Sequence, residues 1–168
     1  MASQNNFNAR VLRLDDITIL NAQIANKVEH GILPKKQAQF SLAHKFEIAT
    51  NMDSKGLRVV HSVEIEMIDK GKPREVVNTG TFEIGYYFKL DNFKDVFDIE
   101  PDFIQDNITI PLINVSYSTS RGIIFTRCLG TVMENLIMPI LNPSDVMQME
   151  KENITQPKKI SKKTKVKK

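Results

Sequence analysis

A chain of 168 residues can build one domain with its own core, and 41% hydrophobic against 26% charged residues is an ordinary globular composition. Polar residues 1–6 do not form a secretory leader, and no stretch approaches the ~20 apolar residues of a membrane helix, so the cytoplasm is the expected location. Cys128 is the single cysteine, which excludes an internal disulfide and a cysteine-built metal site. The net charge of +3 is unevenly placed. Residues 151–168 carry eight lysines and one glutamate, whereas residues 1–150 hold 15 basic and 19 acidic side chains. That division predicts one domain over 1–150 and a disordered lysine-rich tail over 151–168. Asn107, Asn114 and Asn153 stand in glycosylation sequons, which have no meaning in a chain that is not secreted.

In chain order, Phe7 to Ile19 reads as a first strand whose alternation breaks at Val11-Leu12, predicting a bulge or a sheet edge there. Phe40–Ile48, Leu57–Met67 and Val76–Leu90 alternate large apolar with small or polar residues, the period of half-buried strands. NMDSKG and DKGKP between them are turn chemistry. Pairing residues whose numbers sum to 107 across the first turn and 143 across the second keeps every apolar side chain on one face. A slip of one residue would destroy that face.

Such a sheet needs a cover, and the C-terminal third supplies it. Ile113, Tyr117, Ile124, Cys128 and Val132 fall near helical spacing, with Leu129, Met133 and Leu136 widening the stripe. The pattern predicts a helix from about Pro111 that stops before Pro139. A second short helix is expected after Pro143, capped by Ser144 or Asp145, and Phe93 to Phe103 reads as a packed connector. The expected fold class is α+β: a four-stranded antiparallel sheet covered on one face by a long C-terminal helix and a short second one.

Motifs for chemistry fail on inspection. Gly80 to Gly85 has the glycine spacing of a phosphate-binding loop, but Tyr86 and Tyr87 stand where lysine and a hydroxyl are required. His44 and His61 share the apolar face as diagonal neighbours, with Cα atoms ~7–8 Å apart. They suit half a metal site, a pH switch, or two satisfied core histidines; the missing third ligand favours the last. Ser116, Ser118 and Ser120 lack a nucleophile elbow. Asp15-Asp16 and the Glu64/Glu66 pair suit a contact surface better than a buried catalytic pair. No enzyme, cofactor or metal is expected.

Ser116, Ser118, Thr119, Ser120 and Gly122 would let a backbone approach closely, either that of the chain's own sheet or that of a second copy. Ile123, Ile124 and Phe125 make the helix apolar on more than one side, which favours the copy. Ser116, Ser120, Ile123, Ile124 and Phe125 are therefore the expected oligomer interface. Beyond Gly130 the chain carries Val132, Leu136, Ile137, Ile140, Leu141 and four methionines within 17 residues: Met133, Met138, Met147 and Met149. Methionine at that density suits a shallow groove that adapts to varied guests.

The order of these elements resembles the bacterial export chaperone SecB and its wider SecB-like family from about Phe7 to Met147. The residues that carry the resemblance are Tyr117, Arg121, Gly122, Ile123 and Ile124 at the helix start, Phe82, Gly85 and Phe88 in the last strand, and Ile137-Met138-Pro139-Ile140-Leu141-Asn142-Pro143. The resemblance implies a homotetramer, a dimer of dimers, that holds unfolded or precursor polypeptides without ATP. It implies a groove lined by Ile24, Val28, Ile32 and Leu33 of a crossover segment and by Leu136, Ile137, Met138, Leu141 and Met147. Of the acids that meet a SecA-type translocase motor in that family, Asp16 alone carries over; Leu20, Thr79 and Thr81 occupy the other positions. The crossover segment lacks the family's aromatics and the tail is basic where the family's is acidic, which suits a chaperone dedicated to one client. The alternative is a nucleic-acid-associated or scaffold protein acting through the tail. That tail has no aromatic or arginine, so nucleic acid is the weaker expectation.

Overall fold

The computed structural model describes residues 12–26, 36–51, 55–72, 75–91 and 106–142. Among these, β1 (Leu12–Asn26), β2 (Ala38–Asn51), β3 (Gly56–Asp69) and β4 (Val76–Leu90) form one antiparallel sheet in the order β1-β4-β3-β2. The helix α1 (Asp106–Cys128) packs chiefly over β3 and β4. This is the expected α+β architecture. The short second helix and the lysine tail fall outside the described residues.

The β2–β3 hairpin has the anticipated register, with Phe40 opposite Met67, Leu42 opposite Ile65 and Ile48 opposite Val59. Lys55 closes its turn at φ 49°, in the left-handed region. The β3–β4 pairing is displaced by two residues from the anticipated one: Val59 opposes Tyr86, not Ile84, and His61 opposes Ile84. A shift of two preserves which face each side chain takes, so alternation alone could not exclude it. The slack is absorbed near the turn, where Met67 pairs with Asn78 but Ile68 pairs with Val76, leaving Val77 as an extra, inward-turned residue.

β1 is an edge strand, and it runs seven residues past Ile19, so Ile24 belongs to the sheet opposite Gly80 and not to a crossover loop. It is the expected edge strand; its described irregularities fall at Asp15 and Leu20, and Val11 lies outside the described residues. Ile17 and Ile19 oppose core residues Tyr86 and Ile84 yet remain 38% and 37% exposed, because α1 does not extend over this flank.

Helix α1 begins five residues before Pro111, which sits inside it. It ends at Cys128 because Gly130 takes φ 71°, a left-handed conformation that glycine adopts without steric cost. Ile108, Leu112, Ser116, Ser120, Ile124 and Cys128, spaced by four, are all buried against the sheet. The serines let the helix lie close, and Ser120 ties it down. Its Oγ is 2.6 Å from the Tyr86 hydroxyl and 2.7 Å from His61 Nδ1, while His61 Nε2 lies 3.3 Å from His44 Nδ1. Phe46 stacks on the His61 ring at 4.1 Å, and the Tyr117 ring meets that of His44 edge-on at 5.4 Å. The two histidines are thus a hydrogen-bonded pair in the core.

Candidate functional site

After α1 the chain folds back in successive turns, with the amide of Thr131 donating to the Cys128 carbonyl, Glu134 to Thr131 and Leu136 to Met133. The next residues, 136–142, are irregular and not helical. Leu136 and Met138 point inward and are buried, whereas Ile137 is 64% and Ile140 85% exposed. Two α1 side chains hold this strap in place. The Tyr117 hydroxyl donates to the Pro139 carbonyl at 2.9 Å, and Arg121 Nε donates to the Met138 carbonyl at 3.2 Å. Pro139 has no N–H to continue a helix, so the strap stays open.

The strap lies beside an outward stripe of α1. Val115, Ser118, Gly122, Phe125 and Leu129 recur at spacings of three and four, and all are exposed. Between stripe and strap is a cleft of about 270 Å³ lined by Ser118, Arg121, Gly122, Phe125, Ile137 and Met138. A Cβ added at Gly122 would meet no atom within 4 Å, so the cleft has an open floor there. Large apolar side chains with water on one side and a packed strap on the other form a surface that gains by covering itself.

Several expectations need correction here. Ser116, Ser120 and Ile124 are fully buried against the chain's own sheet and cannot meet a second copy. The small-residue stripe serves close helix–sheet packing. Of the expected interface residues only Phe125 is openly exposed, with Ile123 half-buried. Leu136 is sealed in the core, so it lines no groove, and Met138 reaches the cleft only as a buried wall. Leu141 is half-buried against the core, as is Ile24 on β1. Val28, Ile32, Leu33 and Met147 lie outside the described residues. Val115 and Leu129 lie outside the expected site residues, although their helical spacing from Phe125 points to them.

Asp16 is exposed on β1 beside Tyr87, where its carboxylate accepts from the amide of Ile17 at 2.8 Å and the hydroxyl of Thr18 at 3.4 Å. It borders a second cleft, of about 430 Å³, whose other charges are Asp15, Arg58 and Lys89. Lys89 pairs with Asp15 at 2.7 Å, and the Arg58 guanidinium lies 5.7 Å from the Tyr87 ring centre. These charges offset one another, so the patch is not the acidic face that the resemblance would place there. Among the described residues no three His, Cys, Asp or Glu side chains converge on a metal position. No helix among them is long and apolar enough to cross a membrane.

No protein-family model matches the chain, and no curated protein matches it by sequence. Solved structures do. A SecB-like chaperone of Mycobacterium tuberculosis, in complex with a ChAD peptide from the HigA1 antitoxin, superimposes with a TM-score of 0.57 at 16% identity. The match covers 79% of this chain and 92% of that one. A protein of unknown function from Streptococcus agalactiae matches at a TM-score of 0.32 and 9% identity, covering 70% and 86%. The fold is therefore SecB-like: the four-stranded antiparallel sheet with one long helix across it is shared with that chaperone.

Proposed function

We propose that this chain is an ATP-independent chaperone that holds unfolded polypeptide on the stripe-and-strap surface. The observation that carries the reading is the 270 Å³ cleft walled by exposed Phe125 and Ile137, with Leu129 and Ile140 also exposed on the same helix and strap. An unfolded guest offers apolar side chains each worth ~1.5–3 kcal/mol on burial, so several weak contacts along the surface add up without demanding a sequence. The SecB-like fold supports the same reading, as does the antitoxin peptide bound by the mycobacterial neighbour, which favours a dedicated client over general export. The holding role requires no bond chemistry, and the protein is proposed as a non-enzyme of the cytoplasm.

Assembly as a homotetramer is proposed through the flank that α1 leaves open. Ile17 and Ile19, and Leu20 on the far face, expose apolar area along a strand edge that no other described strand pairs. With Asp16 standing among offsetting charges, handover to a SecA-type motor has less support than holding itself.

The test is suppression of aggregation of a denatured, slow-folding polypeptide by a stoichiometric amount of the full chain. Suppression is expected from the wild type and should be lost in the Ile137→Asp/Ile140→Asp double variant, whose circular dichroism stays unchanged because neither side chain is buried. Equal suppression by both proteins would refute the assignment of the surface.

A further inference from the structure

The buried chain Tyr86–Ser120–His61–His44 runs from β4 through α1 to β3 and ends on β2, the edge strand opposite β1. Its proton inventory admits one fully satisfied arrangement. Tyr86 donates to Ser120, Ser120 donates to His61 Nδ1, and His61 Nε2–H donates to His44 Nδ1. Neither Tyr86 nor Ser120 has a further hydrogen-bond partner among the described residues, so any other arrangement strands a buried hydroxyl proton. His44, which is half-buried where His61 and Tyr86 are fully buried, is the member that solvent protons reach.

From this geometry we propose that His44 is a proton sensor whose charging reverses the hydrogen-bond chain and loosens α1 from the sheet. A proton added at His44 Nδ1 makes that atom a donor, so His61 Nε2 must turn acceptor and carry its own proton on Nδ1. Nδ1–H then donates to Ser120 Oγ. Whichever way the Ser120 hydroxyl rotates, the proton of Tyr86 or of Ser120 is left without an acceptor. A stranded buried donor shifts a folding equilibrium by about 5- to 150-fold. The penalty falls on the helix–sheet contact, because Ser120 joins α1 to both β3 and β4.

The surroundings leave little else to absorb the charge. His44 faces His61 from β3, Tyr117 from α1 and, through Ser120, Tyr86 from β4. On α1, Arg121 acts on Tyr117, and among the described residues the influence that shifts His44 is its burial. Lys45 and Glu47 of its own strand project to the opposite face and pair with each other. Burial lowers the affinity of His44 for a proton, and burial with His44 alongside pushes His61 down to about 3, so His44 charges first. Burial raises Tyr86 to about 12, so it remains a donor throughout.

This inference stands whether or not the chain holds clients. It is tested on the full chain by ring-nitrogen NMR of the histidines from pH 8 to pH 4, together with binding of a dye that reports exposed apolar surface. In the wild type, His61 should carry its proton on Nε2 at pH 8 and on Nδ1 once His44 has titrated, with dye binding rising several-fold over the same interval. His44→Asn keeps an acceptor oxygen near the Nδ1 position but cannot be charged, so it should fix the His61 tautomer and abolish the dye response. A wild-type His61 that keeps one tautomer through the His44 titration overturns the proposal, as does an undiminished dye response in the variant.

Discussion

Two serines one helical turn apart on α1 have opposite energetic roles. Ser120 Oγ serves both Tyr86 and His61, and Ser120→Ala strands two buried polar groups. We expect that change to lower unfolding stability by roughly 1–3 kcal/mol or more, read from the urea midpoint at constant m-value. Ser116 Oγ is fully buried and has no partner among the described residues. Ser116→Ala should therefore be neutral or stabilise by up to about 1 kcal/mol, since it removes an unpaid polar group and raises helix propensity. Gly80 is a third position where one atom decides the outcome. A Cβ there would stand 3.0 Å from the sulfur of Met133, which is itself fully buried. Gly80→Ala should cost about 1–3 kcal/mol through overpacking, and a shorter residue at 133 should recover part of it. None of these roles was legible in the sequence: a serine that ties, a serine that merely fits and a glycine that makes room look alike until their neighbours are placed.

At the level of elements, alternation located β2, β3 and β4, because the sheet buries one face and exposes the other. Centring the pairing on the turns found the β2–β3 register and missed the β3–β4 one by two residues, since parity is blind to even shifts and the bulge at Val77 has no sequence signature. The spacing of Ile113, Tyr117, Ile124 and Cys128 announced the helix and its buried side. Proline misled at both ends: Pro111 is tolerated inside α1, and Gly130 stops the helix well before Pro139 is reached. In the apolar run beyond Gly130, which side chains turn inward and which outward follows from the strap being irregular, and no periodicity could assign them. The strap in turn depends on Tyr117 and Arg121. Tyr117→Phe removes the bond to the Pro139 carbonyl and should ease local opening by about 0.5–1.5 kcal/mol. Amide exchange at Leu136, whose N–H donates to the Met133 carbonyl, would then quicken several-fold while that of Val63 in β3 stays unchanged.

At the level of the whole molecule, the core histidines make stability depend on pH with a defined sign. Both bind protons less readily folded than unfolded, where the ordinary value is 6.5. Their contribution is therefore complete above that value and is lost as the pH falls from it toward about 3, where His61 itself titrates. The slope cannot exceed ~1.4 kcal/mol per pH unit for each histidine. Urea midpoints measured at pH 7.5, 6 and 5 should fall in that order, and a flat series would mean that the histidines are not buried neutral.

The same core that makes this demand leaves α1 and its strap with apolar side chains outward, and on those the proposed function rests. Methyl NMR of the full chain, titrated with a polypeptide that stays unfolded in native buffer, addresses that point without relying on an aggregation assay. The methyl signals of Leu129, Ile137 and Ile140 should shift together and saturably, while those of Val59 and Ile84 in the core do not move. Shifts confined to Val60 and Leu20 on the far face of the sheet, or none at all, would contradict the holding of guests on this surface.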